Sequence, residues 1–337
     1  MSDIREVARL AGVSIATVSR TFKKPELVKE KTRARVMSAA NRLGYTPNIF
    51  GIRFRNSRSD TVLVLVPDIS NPFFFEIIHG IEQVAHESGY SILLGDTQHD
   101  PERENAYANY LNTKQADGLL FLGHRLPASV SNLVGRSGLP KRPIVNACEY
   151  SPDLGVPGVH IDNEAAAYEA VSYLLELGHR RIGVVTGPME SPLSRNRLAG
   201  ATKALGKPGI TLAYDMVHYG DFSIEAGIAA SRSLLNLSEP LTAIFCFNDE
   251  MAMGVMEYCR MNGVRIPEDL SLVGFDDIRF AKYCHPSLTT VYQPTKEIGR
   301  AAMQLLSDML SNRQITQTER ILPTKLVIRQ STASPKP

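Results

Sequence analysis

Apolar and polar positions alternate with two different periods along this chain. In the first stretch Ile4, Val7, Ala8, Leu10 and Ala11 recur at helical spacing, and Asp3 stands where a capping acceptor is wanted. Gly12-Val13-Ser14 breaks the pattern, the glycine suited to a C-cap and the serine to the next N-cap. A second helix is predicted through Thr17, Val18 and Phe22, limited by Pro25, and a third from about Thr32 to Leu43 with Val36, Ala39, Ala40 and Leu43 as its inner stripe. Gly44-Tyr45-Thr46-Pro47 ends it. Two short helices joined by a glycine-containing turn and backed by a third make a helix-turn-helix headpiece over 1–47.

From residue 61 short apolar runs alternate with amphipathic stretches. The runs are Val62–Val66, Ser91–Leu94, Gly118–Leu122, Ile144–Cys148, Val159–Ile161, Ile182–Val185, Ala243–Cys246 and Leu270–Val273. Helical spacing fills most gaps: Phe75–Glu87, Arg103–Thr113, Ala165–Leu177, Leu193–Leu205, Ser223–Leu235 and Glu250–Met261. Buried parallel strands separated by helices predict a doubly wound α/β fold. About 270 residues favour two such sheets over one. Between head and body, residues 48–60 carry Arg53, Arg55 and Arg58 with few core-type side chains and read as a hinge, disordered or folding only on DNA.

Charge sharpens the division. The 337 residues carry a formal net charge of +2, yet residues 1–60 hold thirteen Lys/Arg against five Asp/Glu. The rest holds 24 basic and 30 acidic side chains. A basic head on a mildly acidic body suits a polyanion-binding module joined to a different one. The four cysteines form no CxxC pair and no His/Cys spacing suited to zinc, so no metal and no cofactor is expected. No secretory leader and no membrane-length apolar run is present, which predicts a cytoplasmic protein with no membrane partner.

The chemistry of the head follows from its shape. The second helix fits the major groove of double-stranded DNA, its N-terminal residues reaching base edges. Ser14, Thr17 and Ser19 can donate to phosphates, and Arg20 is the long forked donor suited to guanine. Ile15 and Ala16 would read shape or thymine methyl groups. In the body, ligands of doubly wound folds gather at the C-terminal strand ends. There stand Asp68–Phe74, His160–Asn163, Gly187-Pro188 with Arg197 beyond, Gly220–Phe222, Phe247–Asp249 and Gly274–Asp277. No GxGxxG, GxxxxGK[ST] or GxSxG occurs, which argues against a nucleotide- or sugar-processing enzyme. Asp276 and Asp277, adjacent on an extended segment, should point to opposite sides instead of forming a catalytic pair. A transport-type binding protein would share the body but not the basic head.

Asp3–Ala8, Gly12-Val13-Ser14, Thr17-Val18-Ser19-Arg20 and Gly44–Pro47 together resemble the headpiece of the lac-repressor (LacI/GalR) family. Gly178–Gly183, Pro267–Ser271 and Gly274-Phe275-Asp276 extend the resemblance over roughly residues 3–330. It implies a sequence-specific transcriptional regulator, of the repressor kind, that is not an enzyme. It implies a periplasmic-binding-protein-like effector domain over 61–330. The N-subdomain would be about 61–162 plus 294–324 and the C-subdomain about 163–293, joined by three crossovers with the effector between. It implies a hinge that enters the minor groove, with Phe54 at the wedge position and Arg53 and Arg55 beside it, although Gly51-Ile52-Arg53-Phe54 departs from the usual Ala-Arg-x-Leu.

The effector positions implied are Phe73, Phe74, Asp162, Arg197, Phe222, Asn248 and Asp276. Asp276 and Arg197 suit vicinal hydroxyls, and the three phenylalanines suit a base or sugar ring. Phe74 or Phe222 could instead be core, and Asp162 could equally cap the helix after it. Ser191 and Leu193 replace the Arg and Thr of the purine-sensing pattern. Val66–Ile69, Asn71–Phe74, Gly80-Ile81-Glu82 and Ser191–Leu193 are similar to the cytidine-repressor branch, which implies a nucleoside effector, with a pentose or other sugar as the alternative. A homodimer on a near-palindromic operator is expected, because one small headpiece buries too little DNA surface to be specific and Ser331–Pro337 offers no heptad for a tetramer tether.

Overall fold

The computed structural model describes residues 3–45, 58–135 and 139–336 and divides the chain into a head, Met1–Ser59, and a body, Asp60–Pro337. The head holds α1 (Ile4–Ala11), α2 (Ile15–Lys23) and α3 (Glu30–Leu43), with a 3-10 turn at Pro25–Leu27. Asp3 caps α1, and Gly12 closes it at φ 62°, a left-handed conformation that a side chain would strain. Ser14 caps α2 by accepting from the Thr17 amide at 3.1 Å. Val7, Ala8, Ala11, Val18, Val36, Ala39 and Ala40 form the small core. The third helix begins two residues before the expected Thr32. Arg53, Phe54 and Arg55, the hinge residues named above, lie outside the described residues.

In the body the strands are β1 (Thr61–Val66), β2 (Ser91–Asp96), β3 (Gly118–Phe121), β4 (Ile144–Ala147), β5 (Gly158–Ile161), β6 (Ile182–Thr186), β7 (Val217–Tyr219), β8 (Ala243–Cys246), β9 (Ser271–Asp276), β10 (Thr289–Tyr292), β11 (Glu319–Leu322) and β12 (Lys325–Val327). They form two 6-stranded sheets in the orders β11-β5-β4-β3-β1-β2 and β12-β10-β9-β8-β6-β7. Among the described residues every pairing is parallel except β10 with β12. Each sheet therefore repeats one doubly wound order, with a switch point beside its first strand.

Helices α4 (Phe73–Glu87), α5 (Pro101–Asn112), α6 (Asn163–Glu176), α7 (Pro192–Gly206), α8 (Ile224–Leu234), α9 (Asp249–Asn262) and α10 (Thr295–Leu310) cover the sheets. Small residues let paired helices approach closely. A Cβ on Gly80 of α4 would stand 2.2 Å from the Lys296 carbonyl oxygen of α10, and one on Gly227 of α8 would stand 2.0 Å from that of Met251 on α9. Because α10 packs on α4, the chain returns to the first sheet after completing β10 of the second. It passes between sheets after β5, after β10 and between β11 and β12.

The tail departs from expectation. The sequence pattern predicts a domain end near 330, but Ser331 is fully buried, its hydroxyl donating to the Leu272 carbonyl at 2.6 Å and accepting from the Thr289 amide at 2.8 Å. The Ala333 carbonyl receives His179 Nε2 at 2.9 Å. A polar segment gives no hydrophobic signal for this packing.

Candidate effector cleft and nucleic-acid interface

On the head, the residues expected to meet DNA share one end of α2. Ser14, Ile15, Ala16 and Arg20 are exposed and Thr17 and Ser19 half-buried, while Val18 turns fully into the core. Ile15 keeps 46% of its surface and is open to a base edge or thymine methyl. Ser14 Oγ lies 2.9 Å from Thr17 Oγ1, so the two hydroxyls form one polar edge at the positive end of the helix dipole. That edge is suited to phosphate, with Arg20 further along the helix for a base.

In the body, loops after the C-terminal strand ends of both sheets enclose a cavity of about 240 Å³. The first sheet contributes Asp68, Ser70, Asn71, Phe73 and Phe74 after β1, His99 after β2, and Cys148 with Glu149 after β4. From the second sheet come Leu193 and Arg197 after β6, Asp221 to Glu225 after β7, Asn248 and Glu250 after β8, and Asp276 at the end of β9. Phe73, Phe74, Arg197, Phe222, Asn248 and Asp276 are thus brought together as expected. Asp162 is not. It is the first residue of the crossover after β5, and its Oδ1 folds onto the first turn of α6 to accept from the Ala165 amide at 2.9 Å.

Arg197 is the centre of the cleft. It is 3% exposed, donates from Nε to Asn163 Oδ1 at 2.9 Å and from Nη1 to the Phe247 carbonyl, and lies 3.6 Å above the Phe275 ring centroid. Its Nη2 stands 3.9 Å from Asp276 Oδ1, which also accepts from Gln293 Nε2 at 2.7 Å. Burial lowers the guanidinium to about 10, with Asp276 and Glu149 pulling the other way. The same burial pushes Asp276 up to about 7, against the opposing pull of Arg197 and of the Gln293 bond. At 3.9 Å the ion pair is too long to offset desolvation, so burial prevails. Glu250 is also raised to about 7, by burial and then by Asp68 and Glu225.

The aromatic walls are held by ring packing on one side and a side-chain hydrogen bond to the backbone on the other. Phe73 and Phe74 meet edge to face at 5.2 Å. Phe222 adopts φ 74°, a left-handed conformation that costs a bulky residue on the order of 1–3 kcal/mol. Asn248 fixes it: Nδ2 donates to the Phe222 carbonyl at 2.8 Å while Oδ1 caps α9. The Asn248 amide is therefore engaged in holding the wall. Gly187 makes room for the ring, since a Cβ there would stand 2.0 Å from Phe222 Cζ. Gly187→Ala is therefore expected to push Phe222 into the cleft and weaken effector binding by about tenfold or more, with the fold retained. Unchanged affinity by calorimetry would show that the ring is not part of the binding surface.

Sequence reasoning missed Glu149 and Glu250. Glu149 is 7% exposed, accepts from Ser191 Oγ of the opposite subdomain and has His124 Nδ1 at 3.3 Å. No local pattern marks it; it stands here because β4 ends beside the cleft. Asp276 and Asp277 diverge as expected, Asp277 Oδ1 lying 2.7 Å from Arg329 Nη2, away from Asp276's partners.

Two family models match the chain. Residues 3–48 match bacterial regulatory proteins of the lacI family, and residues 171–332 match the periplasmic binding protein-like domain. The chain is 45% identical to the HTH-type transcriptional repressor CytR of Escherichia coli (strain K12) over 329 residues, covering 98% of this chain and 96% of that one. It is 33% identical to the HTH-type transcriptional repressor PurR of Photobacterium profundum, covering 98% of each. Among solved structures, the lac repressor dimer bound to operator and the anti-inducer ONPF superposes with a TM-score of 0.86 at 27% identity, over 98% of this chain and 99% of that one. The transcriptional regulator CelR–cellobiose complex gives 0.74 at 32% identity, over 98% and 100%. Head, paired sheets and relatives agree: the chain belongs to the lacI family of bacterial regulatory proteins.

Proposed function

We propose that the small molecule read by this DNA-binding transcriptional regulator is an unphosphorylated nucleoside, and that the chain acts as a homodimeric repressor on a near-palindromic operator. One observation carries the reading: the cleft sets three phenylalanine side chains around the buried Arg197–Asp276 pair. Flat apolar faces suit a base, and a carboxylate with a forked donor suits the vicinal hydroxyls of a ribose. The 45% identity to a repressor named CytR points the same way. Repression follows from linkage: a nucleoside that prefers one closure of the two sheets shifts the population that holds DNA. The regulator's relatives and the absence of a nucleotide-chemistry motif support a protein that binds without turnover. A DNA-binding regulator of this family acts where the chromosome is, which supports a cytoplasmic place of action; no helix among the described residues is long and apolar enough to cross a membrane.

The lining charges select against phosphate. Asp68, Glu149, Asp221, Glu225, Glu250 and Asp276 line the cleft with Arg197 and His99, and Arg197 already spends Nε and Nη1 on protein acceptors, leaving Nη2 for a ligand hydroxyl. A calorimetric screen of nucleosides, free bases and pentoses should give a selective nucleoside, with its 5′-monophosphate bound at least about tenfold more weakly. Equal binding of the monophosphate would overturn the unphosphorylated assignment. A selective pentose without nucleoside binding would overturn the nucleoside.

Effector binding should depend on pH with a definite sign. Ligand hydroxyls donating to Asp276 favour its ionised form, so affinity should rise as pH increases through about 7 and protons should be released. The same group affects stability oppositely. Its folded value lies above the ordinary 3.8, so stability is fully present below that and falls as pH rises towards about 7. Asp276→Asn should flatten both dependences, apart from the part due to Glu250. Calorimetry in buffers of different ionisation heat reads the proton release, and uptake instead of release would contradict it.

A further inference from the structure

Among the described residues, every α-helix opened by Ser, Asp or Asn is capped by that side chain, with one exception. Asp3, Ser14, Asp100, Asp162, Ser223 and Asn248 each turn an oxygen back to accept from an amide of the helix they open. Ser191, at the N-cap of α7, has the extended backbone of a capping residue, yet its side chain makes no such bond. Its hydroxyl donates instead to Glu149 Oε2, which stands across the cleft in the loop after β4 of the other sheet.

Both ends of this bond are deep in the protein. Ser191 is 2% exposed and Glu149 7%. The same Glu149 oxygen has His124 Nδ1, from the loop after β3, at 3.3 Å. A buried carboxylate oxygen must be answered by donors, and here one of them comes from the opposite subdomain. The backbone is strained at the same point: Cys148, next to Glu149, adopts φ 71°, a left-handed conformation uncommon outside glycine. Helix α7 also carries Leu193 and Arg197 in its first two turns, and both line the effector cleft. A movement of α7 away from β4 therefore breaks the bond and carries Arg197 with it.

The serine has two positions in which its hydroxyl is satisfied. With the subdomains together it serves Glu149. With them apart it can fold back onto α7, as Ser223 caps α8 by accepting from the Ala226 amide at 3.0 Å. Glu149 then meets water. Each arrangement answers its own polar groups, which favours two discrete states over a continuum. We propose that Ser191 and Glu149 form a latch that holds the two subdomains in the closed arrangement seen here before any effector binds, and that Ser191 releases it by returning to cap its own helix. A hydrogen bond to a carboxylate outweighs a serine cap, so losing the latch should lower the closed-to-open ratio by roughly three- to thirtyfold. The latch does not rest on the effector being a nucleoside.

The test is small-angle X-ray scattering of the effector-free full chain, with thermal melting as the check on folding. Ser191→Asp keeps a strong cap but sets a second carboxylate against Glu149, so the body should open. Adding Glu149→Gln restores a donor–acceptor pair with the roles exchanged, the glutamine amide donating to the new carboxylate, and the closed profile should return. Ser191→Ala, which removes the donor without adding charge, should open the body in part. A Ser191→Asp profile identical to that of the parent protein would overturn the latch. So would a double variant that stays open, because the opening would then reflect damage to α7 and not the loss of a partner. Should Ser191→Asp fail to melt cooperatively, Ser191→Ala decides alone, and an unchanged profile overturns the latch.

Discussion

Arg197→Met is expected to destabilise the body by about 3–5 kcal/mol and to abolish effector binding. The side chain is 3% exposed, with Nε and Nη1 hydrogen-bonded and Nη2 3.9 Å from Asp276 Oδ1. Without it Asn163 Oδ1 and the Phe247 carbonyl lose their donor, and the Phe275 ring loses the guanidinium stacked on it. Asp276 loses the charge that opposes its desolvation. Methionine refills most of the volume, so what remains of the cost is electrostatic and hydrogen-bonding. The carboxyl can escape part of it by taking a proton, which predicts that Arg197→Met and Asp276→Asn combine to less than their sum. Urea unfolding of the two single variants and the double variant measures this. A loss below about 1 kcal/mol for Arg197→Met would mean that the pair is screened by water and is not the centre of the cleft.

Arg20→Ala should remove operator preference without touching effector binding. Arg20 is exposed on the same helix as Thr17, whose hydroxyl lies 2.9 Å from that of the capping Ser14 at the helix N-terminus, the end proposed to meet phosphate. A bidentate arginine–guanine contact discriminates by about 1–3 kcal/mol, and a dimer loses it in both half-sites, so roughly 2–6 kcal/mol of specificity should vanish. Non-specific DNA binding should fall much less, because the phosphate contacts remain. Competition between an operator and random duplex at fixed salt separates the two. A uniform fall on both sequences would make Arg20 a phosphate contact, not a base reader.

The headpiece is legible almost residue by residue because caps carry it. Asp3, Gly12 and Ser14 are local signals, and each closes or opens its helix as the spacing predicts. Central strands are equally plain, since Val62–Val66 and Ala243–Cys246 are buried on both faces and read as continuous apolar runs. Of the edge strands, β2 is read from its apolar run, but β11 and β12 are not. Residues Glu319–Leu322 and Lys325–Val327 mix exposed and half-buried positions, pair with β5 and β10, and pack only Leu322 and Leu326 against the main core. Thr289–Tyr292 is largely buried, but its two threonines hide it from an apolar scan.

In the cleft, the residues that sequence reasoning found stand at strand ends or in the helices that follow them, where the fold places ligands whatever the neighbours are. Asp162 occupies such an end too, yet its carboxylate caps α6. Glu149 was missed for the complementary reason: its partners Ser191 and His124 are distant in sequence, so nothing near it marks a site.

The central claim is that a molecule in the body sets the head's grip on DNA. The most direct measurement is fluorescence anisotropy of the full chain on an operator selected from a random duplex pool, at one salt concentration, with and without saturating nucleoside. A coupling of about 1–3 kcal/mol, or roughly 5- to 150-fold in operator affinity, is predicted, absent in Arg197→Met. Nucleoside binding proven by calorimetry, with operator affinity unchanged, would contradict it.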